Sequence, residues 1–134
     1  MNKKYFTIEE ANEILVKAKP ILERLVNVTQ GIRSVEGVSV TFNDHFMAYS
    51  HAIIVSEQYH KCAHELYLLL LRLLKLGIIV KDSSTGLIDF YARCNGRDVF
   101  LCYRLGEENV HMWHEANAGY QGRKPISLMA NEPR

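Results

Sequence analysis

The chain has 134 residues, a length typical of one domain, and its apolar fraction of 48% is high enough to build a hydrophobic core. Its formal net charge is +1. This balance argues against nucleic acid or an acidic membrane surface as a partner, because both attract strongly basic proteins. We expect one domain over residues 1–134, with residues 1–77 helical and residues 78–134 forming a sheet and an irregular tail.

The terminal and apolar segments bear on where the protein resides. The N-terminal stretch MNKKYFTIEE lacks the apolar core of a signal peptide. The most apolar run, LYLLLLRLLKLGIIV, is interrupted by Arg72 and Lys75 and is too short to cross a bilayer. Three cysteines, Cys62, Cys94 and Cys102, form an odd set that is typical of reduced thiols. These features predict a cytoplasmic location.

The first predicted helix begins after Thr7 and Glu10, which have the spacing of a capping box. Apolar residues then recur every three or four positions, as on one face of a helix: Ile8, Ala11, Ile14, Leu15, Ala18, Ile21, Leu22 and Leu25. Pro20 lies inside this pattern and predicts a kink, because its ring removes a hydrogen bond and crowds the carbonyl of Val16. Gly31 and the stretch SVEGVS predict the end of the helix and a loop.

A second helix is predicted to begin near Asn43 or Asp44, either of which could cap it, and to run to Leu76. Gly77 would then be the left-handed residue that stops it. The segment from Leu66 to Leu76 is apolar on nearly every side, and a helix of that kind is buried on every side. One neighbouring helix and a small sheet would hardly cover it, so we expect a homodimer or a higher oligomer.

Beyond Gly77 the apolar period changes from 3.6 to 2. IIVKD predicts a short strand and SSTG a turn, and the runs LIDFYARC and RDVFLCYRL flank Asn95-Gly96, a strong hairpin signal. A two-residue turn fixes the register, with Ala92 opposite Val99 on a face that packs on the helices. The opposite face then carries mostly polar residues: Asp89, Tyr91, Arg93, Asp98, Phe100, Cys102 and Arg104.

The third predicted strand is VHMWHE, after the turn GEEN. A four-residue loop pairs Leu105 with Val110 and places His111, Trp113 and Glu115 on the polar face, with Met112 and His114 on the core face. A loop one residue longer or shorter reverses this assignment. The tail ANAGYQGRKPISL is predicted to be irregular. The fold class is therefore α+β, with an N-terminal two-helix antiparallel hairpin and a small three- or four-stranded antiparallel meander.

Metal and thiol chemistry have weak signals. His111 and His114 are three apart, a spacing that shares a face on a helix but not on a strand. Glu57, His60 and His64 lie on one stripe of the second helix, but a dimetal site needs a second such set. Cys102 near Arg104 and His111 could be a reactive thiolate, although a cysteine in a strand is more often an apolar filler. We therefore predict no metal and no cofactor, and the sequence assigns no catalytic residue.

An anion pocket is the remaining chemical hypothesis. Arginines give paired hydrogen bonds to carboxylates or phosphates, and Gly119 and Gly122 would let backbone approach a ligand. The alternative is a structural network in which each charge has a protein partner. Under either interpretation, HMWHEANAGYQGRKP brings Arg123 and His114 or Glu115 toward Asp89 or Arg104. The candidate ligand-binding residues are Asp89, Arg104, Trp113, His114, Glu115 and Arg123.

Several motifs in this order resemble the bacterial family called domain of unknown function 2203. They are YFTIEEANEIL, GIIVKD, TGLIDFYA, GRDVFLCYRLGE, WHE and GYQGRKP, over residues 4–25 and 77–125. The resemblance implies a helical N-terminal half joined to a small sheet and supplies no activity. Residues that match the family's motifs are Asp89, Arg104, Glu107, Trp113, His114, Gly119, Gly122 and Arg123.

Two functional hypotheses follow from these patterns. In the first, the protein is a homo-oligomeric interaction or scaffold module. In the second, it binds a small anionic molecule, or is an enzyme, with a polar pocket at the sheet and the Gly-Arg loop. A homo-oligomer and a small anionic ligand are thus the expected partners, whereas nucleic acid and membranes are not.

Overall fold

The computed structural model describes residues 3–36 and 44–127. Its elements confirm the α+β class: two helices followed by an antiparallel sheet of five strands. They are α1 (Ile8–Glu36), α2 (His45–Lys75), β1 (Ile78–Asp82), β2 (Leu87–Cys94), β3 (Arg97–Arg104), β4 (Met112–Glu115) and β5 (Lys124–Pro125). Part of the predicted loop (residues 37–39), the alternative cap Asn43 and the end of the tail at Leu128 lie outside the described residues.

Helix α1 begins at the predicted capping box. The Thr7 N–H donates to Glu10 Oε1 at 3.1 Å, and the Glu10 N–H donates to Thr7 Oγ1 at 3.2 Å. The helix continues through Pro20 and Gly31 to Glu36, so the predicted end at Gly31 is wrong. Ile32 packs against the core one residue later, and such packing outweighs the low helix propensity of one glycine.

Helix α2 has the predicted ends. Asp44 caps its N-terminus by accepting from the N–H groups of Phe46 and Met47 at 2.7 and 3.3 Å. Gly77 follows the last turn with φ of 89°, and a Cβ there would lie 2.9 Å from the Phe6 ring. Only glycine tolerates both this backbone conformation and this approach. Within the described residues, neither α1 nor α2 contains an apolar stretch that could span a bilayer.

The core lies between the helices and one face of the sheet. Asn95 and Gly96 form the predicted two-residue turn, with φ of 54° and 80°. The predicted register is confirmed, since Ala92 lies opposite Val99 and both side chains are buried. The strands are ordered β1-β2-β3-β4-β5, so every strand pairs with its neighbour in sequence.

The predicted register of β4 is wrong by one residue. Leu101 lies opposite Trp113, so Trp113 points into the core, whereas Met112 and His114 lie on the face away from the helices. The register is set by Val110, which is buried and held at both backbone groups. Its N–H donates to Asn12 Oδ1 at 2.7 Å, and its carbonyl accepts from Asn12 Nδ2 at 3.3 Å. Docking on α1 therefore overrides the loop length inferred from turn residues.

The tail is more ordered than its glycines suggested. A 3-10 turn spans Tyr120–Gly122, and β5 pairs with β4 through Met112 opposite Pro125. The Ile126 N–H donates to the His111 carbonyl at 2.9 Å and extends this pairing. Pro125 fits because β5 is an edge strand, where a missing N–H leaves no ladder bond unmade. The prediction of three or four strands is corrected to five.

Candidate functional site

A carboxyl, a thiol and an imidazole side chain lie close together on the sheet face away from the helices. Asp89 on β2 lies directly opposite Cys102 on β3, and His114 on β4 lies opposite Phe100, two residues before Cys102. All three side chains are buried, and their nearest ligand-type atoms lie within 4.8 Å of one another. We call Asp89, Cys102 and His114 the open-face cluster.

His114 is held by hydrogen bonds at both ring nitrogens. Its Nδ1 lies 2.8 Å from the backbone carbonyl of Glu115, and its Nε2 lies 3.1 Å from Asp89 Oδ2. A carbonyl only accepts, so Nδ1 carries a proton. A second proton must then lie between Nε2 and the carboxyl of Asp89, on one or the other. Either way the pair has no net charge, which suits a buried site.

The carboxyl of Asp89 is the least satisfied member of the open-face cluster. Burial raises its pKa above the ordinary value, because a low dielectric disfavours the charged form, while the nearby His114 acts in the opposite direction. Within residues 3–36 and 44–127, Oδ1 is buried and has no hydrogen-bond partner. An unpaired buried carboxylate oxygen is costly, so this atom marks a place where a donor or a cation would be stabilising.

Cys102 is not poised as a nucleophile. Burial and the neighbouring Asp89 carboxylate raise the pKa of its thiol to about 12. The thiolate would be scarce at neutral pH, and both nitrogens of His114 are already engaged, so no base is free to activate the thiol. The hypothesis of a thiolate stabilised by Arg104 and His111 is therefore wrong.

A cleft of about 260 Å³ opens above the open-face cluster. Its walls come from β1, β3 and the segment after β4, and they include Lys81, Phe100, Gly119 and Tyr120. The ammonium group of Lys81 lies over the Phe100 ring, 5.3 Å from the centroid. The cleft therefore combines a polar floor with partly aromatic walls, as small ligand sites do.

The other four predicted site residues lie outside the open-face cluster. Arg123 donates from Nη2 to both oxygens of Glu107, at 2.8 and 2.7 Å, and Glu115 pairs with Arg97 at 2.6 Å. Arg104 is exposed and lies over the Tyr120 ring. Trp113 is fully buried in the core. Of the six candidates, the structure brings Asp89 and His114 into direct contact and places Arg104 and Arg123 over the same Tyr120 ring. Its pair with Glu107 gives Arg123 the geometry of a structural brace.

The comparisons with known proteins bear on the family alone. Residues 4–126 match the family described as "Uncharacterized conserved protein (DUF2203)". The chain belongs to this family. Neither the curated proteins nor the solved structures contain a match. The family's description names no reaction, so the chemistry of this member must come from its own side chains.

Sequence reasoning missed two parts of this site. It considered Cys102 but placed His114 on the opposite face, so the open-face cluster could not be assembled. It also overlooked Lys81 and Tyr120, which line the cleft from β1 and the tail. Alternation along β1 could not have placed Lys81 reliably, because the pairing with β2 shifts between Val80 and Asp82 and leaves Lys81 without an opposite residue.

Proposed function

We propose that the protein is a homo-oligomeric interaction or scaffold module in which the outer faces of α2 from two copies pair. The observation that carries this proposal is a row of exposed apolar side chains along α2. Phe46, Ile53, Tyr67 and Leu74 are 75%, 67%, 61% and 49% exposed. Large apolar side chains rarely line up in solvent on a protein that acts alone.

The spacing of this row supports a helix as the partner. Phe46 and Ile53 are seven residues apart, as are Tyr67 and Leu74, and His60 lies at the missing position between them. A seven-residue apolar period is the period at which two helices stay in contact along their length. We call Phe46, Ile53, His60, Tyr67 and Leu74 the α2 seam. Further exposed apolar side chains border it: Met47, Ile54 and Leu68.

Charge favours an antiparallel pair. The neighbouring positions on the same stripe include Glu57 and His64, on either side of His60. A parallel pair in register would place Glu57 against its own copy. An antiparallel pair centred near His60 instead places Glu57 close to the histidines of the second copy and apolar ends against apolar ends. The Glu57 carboxylate then meets hydrogen-bond donors, and not a second carboxylate, across a self-complementary two-fold interface.

The proposal includes finer features of the protein. We take the helices to form an antiparallel hairpin, which agrees with the ion pair of Arg24 and Glu65, and we place a kink in α1 at Pro20. We also infer one domain over residues 1–134 and a cytoplasmic location. The described cysteines are all free thiols, which suits a reducing compartment.

The test is sedimentation velocity at tens of micromolar on the wild type and on two single variants. Ile53→Glu puts a charge into the α2 seam and is expected to convert the dimer into a monomer, because an unpaired charge in an apolar interface is costly. Val16→Glu is the matched control, since Val16 is an equally exposed apolar residue on α1, at 73%.

We expect Val16→Glu to sediment like the wild type. A wild-type chain that is monomeric at these concentrations would overturn the proposal. A dimer that survives Ile53→Glu but is lost in Val16→Glu would place the interface elsewhere. Circular dichroism of each variant separates loss of pairing from loss of folding.

A further inference from the structure

The open-face cluster has the donor set of a transition-metal site. It offers a carboxylate, a thiolate and an imidazole, a combination that suits zinc and similar divalent ions better than calcium or magnesium. The donors come from three adjacent strands of one sheet, at Asp89, Cys102 and His114. A sheet is a rigid support, so the three donors are held near one another before any ion arrives.

The spacing of the donors is close to what an ion needs. In a tetrahedral zinc site the metal–donor distances are 2.0 to 2.3 Å, so donor atoms lie about 3.5 Å apart. The nearest donor atoms of the open-face cluster lie within 4.8 Å of one another. Small side-chain rotations would close this difference without moving the strands.

His114 already has the orientation of a metal ligand. Its Nδ1–H donates to the Glu115 carbonyl at 2.8 Å, which directs Nε2 toward Asp89 and Cys102. A backbone carbonyl on the second ring nitrogen is one of the usual outer partners of a metal-bound histidine, because it fixes both the tautomer and the ring plane. The same contact makes Nε2 the atom that would bind an ion.

An ion would also satisfy the buried carboxylate. Asp89 Oδ1 has no partner among the described residues, although its side chain is almost fully buried. An ionised Asp89, an ionised Cys102 and a neutral His114 together carry two negative charges, which balance a divalent cation. The ion would therefore relieve the burial cost that the carboxylate bears by itself.

We propose that the open-face cluster binds one zinc-type divalent cation through the Asp89 carboxylate, Cys102 Sγ and His114 Nε2. Three protein ligands leave the fourth position open toward the cleft lined by Lys81 and Tyr120. Sites with three protein ligands and one open position are the kind that bind water or a substrate oxygen. Binding replaces the thiol proton and the proton shared by Asp89 and His114, so two protons leave as the cation enters.

The first measurement uses the wild-type protein and cobalt. Co²⁺ reports on its ligands, because a cobalt–thiolate bond gives an intense near-ultraviolet charge-transfer band. We expect one Co²⁺ per chain with this band, and displacement of the band by Zn²⁺. Zinc calorimetry in buffers of different ionisation enthalpy should give the two released protons. Absence of Co²⁺ binding by the folded protein, or binding without the thiolate band, would overturn the proposal.

The second measurement uses matched variants. Cys102→Ser and His114→Gln are expected to weaken Zn²⁺ binding by at least ~10-fold, since even outer-shell changes reach that size. Cys62→Ser and His111→Gln are the controls, because Cys62 lies on α2 and the exposed His111 is three residues from His114. Equal weakening in the controls, or none in Cys102→Ser, would overturn the proposal. Circular dichroism verifies folding, and the cobalt spectrum of the wild type stands even if a variant unfolds.

Discussion

The two helices are similar in length but differ in how many large apolar side chains they expose to solvent. Helix α1 has 29 residues and α2 has 31. Among the described side chains, α1 exposes one large apolar residue, Val16, whereas α2 exposes eight: Phe46, Met47, Ile53, Ile54, Tyr59, Tyr67, Leu68 and Leu74. The core of one chain therefore accounts for the apolar pattern of α1 but not for that of α2. In the proposed pair, a second copy of the chain would bury these α2 side chains.

The sharpest internal contrast lies between adjacent residues of α2. Leu73 is fully buried, whereas Leu74 is half exposed on the α2 seam. We expect Leu73→Ala to lower the free energy of unfolding by about 2–5 kcal/mol, because it leaves a cavity in the core. Leu74→Ala should change the stability of the monomer by less than about 0.5 kcal/mol. Urea unfolding of both variants, at a protein concentration too low for dimers to form, measures the two changes in stability.

Leu74→Ala should nevertheless weaken pairing. A loss of about 1.4 kcal/mol of interface energy would raise the dimer dissociation constant roughly 10-fold. If both alanine variants destabilise the monomer equally, the inner and outer faces of α2 are not distinct, and the contrast with α1 disappears.

Pro20 tests whether α1 is shaped to fit the core. It lies inside the helix at an exposed position, where it removes the hydrogen bond to the Val16 carbonyl. Pro20→Ala should raise the free energy of unfolding by about 1–2 kcal/mol, the gain in helix propensity less the entropy that proline removes from the unfolded chain. Thermal and urea unfolding measure it. A loss of stability would instead mean that a kink at Pro20 is needed for packing.

A substitution at Gly31, in the same helix, is expected to change stability by a smaller amount. It lies within α1, and a Cβ at this position would meet nothing within 4 Å. Gly31→Ala should therefore stabilise the protein by about 0.5–1 kcal/mol through the unfolded chain and helix propensity. Chemical denaturation measures this gain. A decrease would indicate that the helix ends at Gly31 in solution.

The last comparison concerns the reactivity of one thiol on α2 and one on the sheet. Cys62 on α2 is partly exposed, whereas Cys102 is buried and its thiol pKa is raised to about 12. In the folded protein, the Cys102 thiol keeps its proton at pH values where an ordinary thiol loses it. Between about pH 8 and 9, we expect iodoacetamide to alkylate Cys62 and to spare Cys102. Mass spectrometry of digested protein measures both, and rapid alkylation of Cys102 would contradict its environment.

Most of the fold could be predicted from local signals. The capping box at Thr7, the cap at Asp44 and the turn at Asn95-Gly96 each depend on a few neighbouring residues, and all are present. The hairpin turn then fixes every pair between β2 and β3. Such features need no knowledge of distant contacts, so a single sequence is enough to predict them.

The site could be predicted only in part, because its assembly depends on distant contacts. Asn12 on α1 anchors Val110 and so decides the face of His114, nearly a hundred residues later in the chain. Nothing in the turn GEEN specifies that contact. Arg123 likewise pairs with Glu107, and this contact depends on the path of the tail. One residue of register separated the predicted polar face from the open-face cluster.

The most direct test of pairing through α2 is the distance between spin labels on two copies. Labels at His45→Cys or Lys61→Cys, each in a Cys62→Ser background, mark the end and the middle of α2 at exposed positions. With a rise of 1.5 Å per residue, an antiparallel pair centred near His60 places the two end labels about 45 Å apart. The middle labels should lie roughly 10–20 Å apart, because paired helices lie 8–10 Å from each other. Dipolar spectroscopy that finds these two distances would support the account, and the absence of any distance between copies at both positions would contradict it.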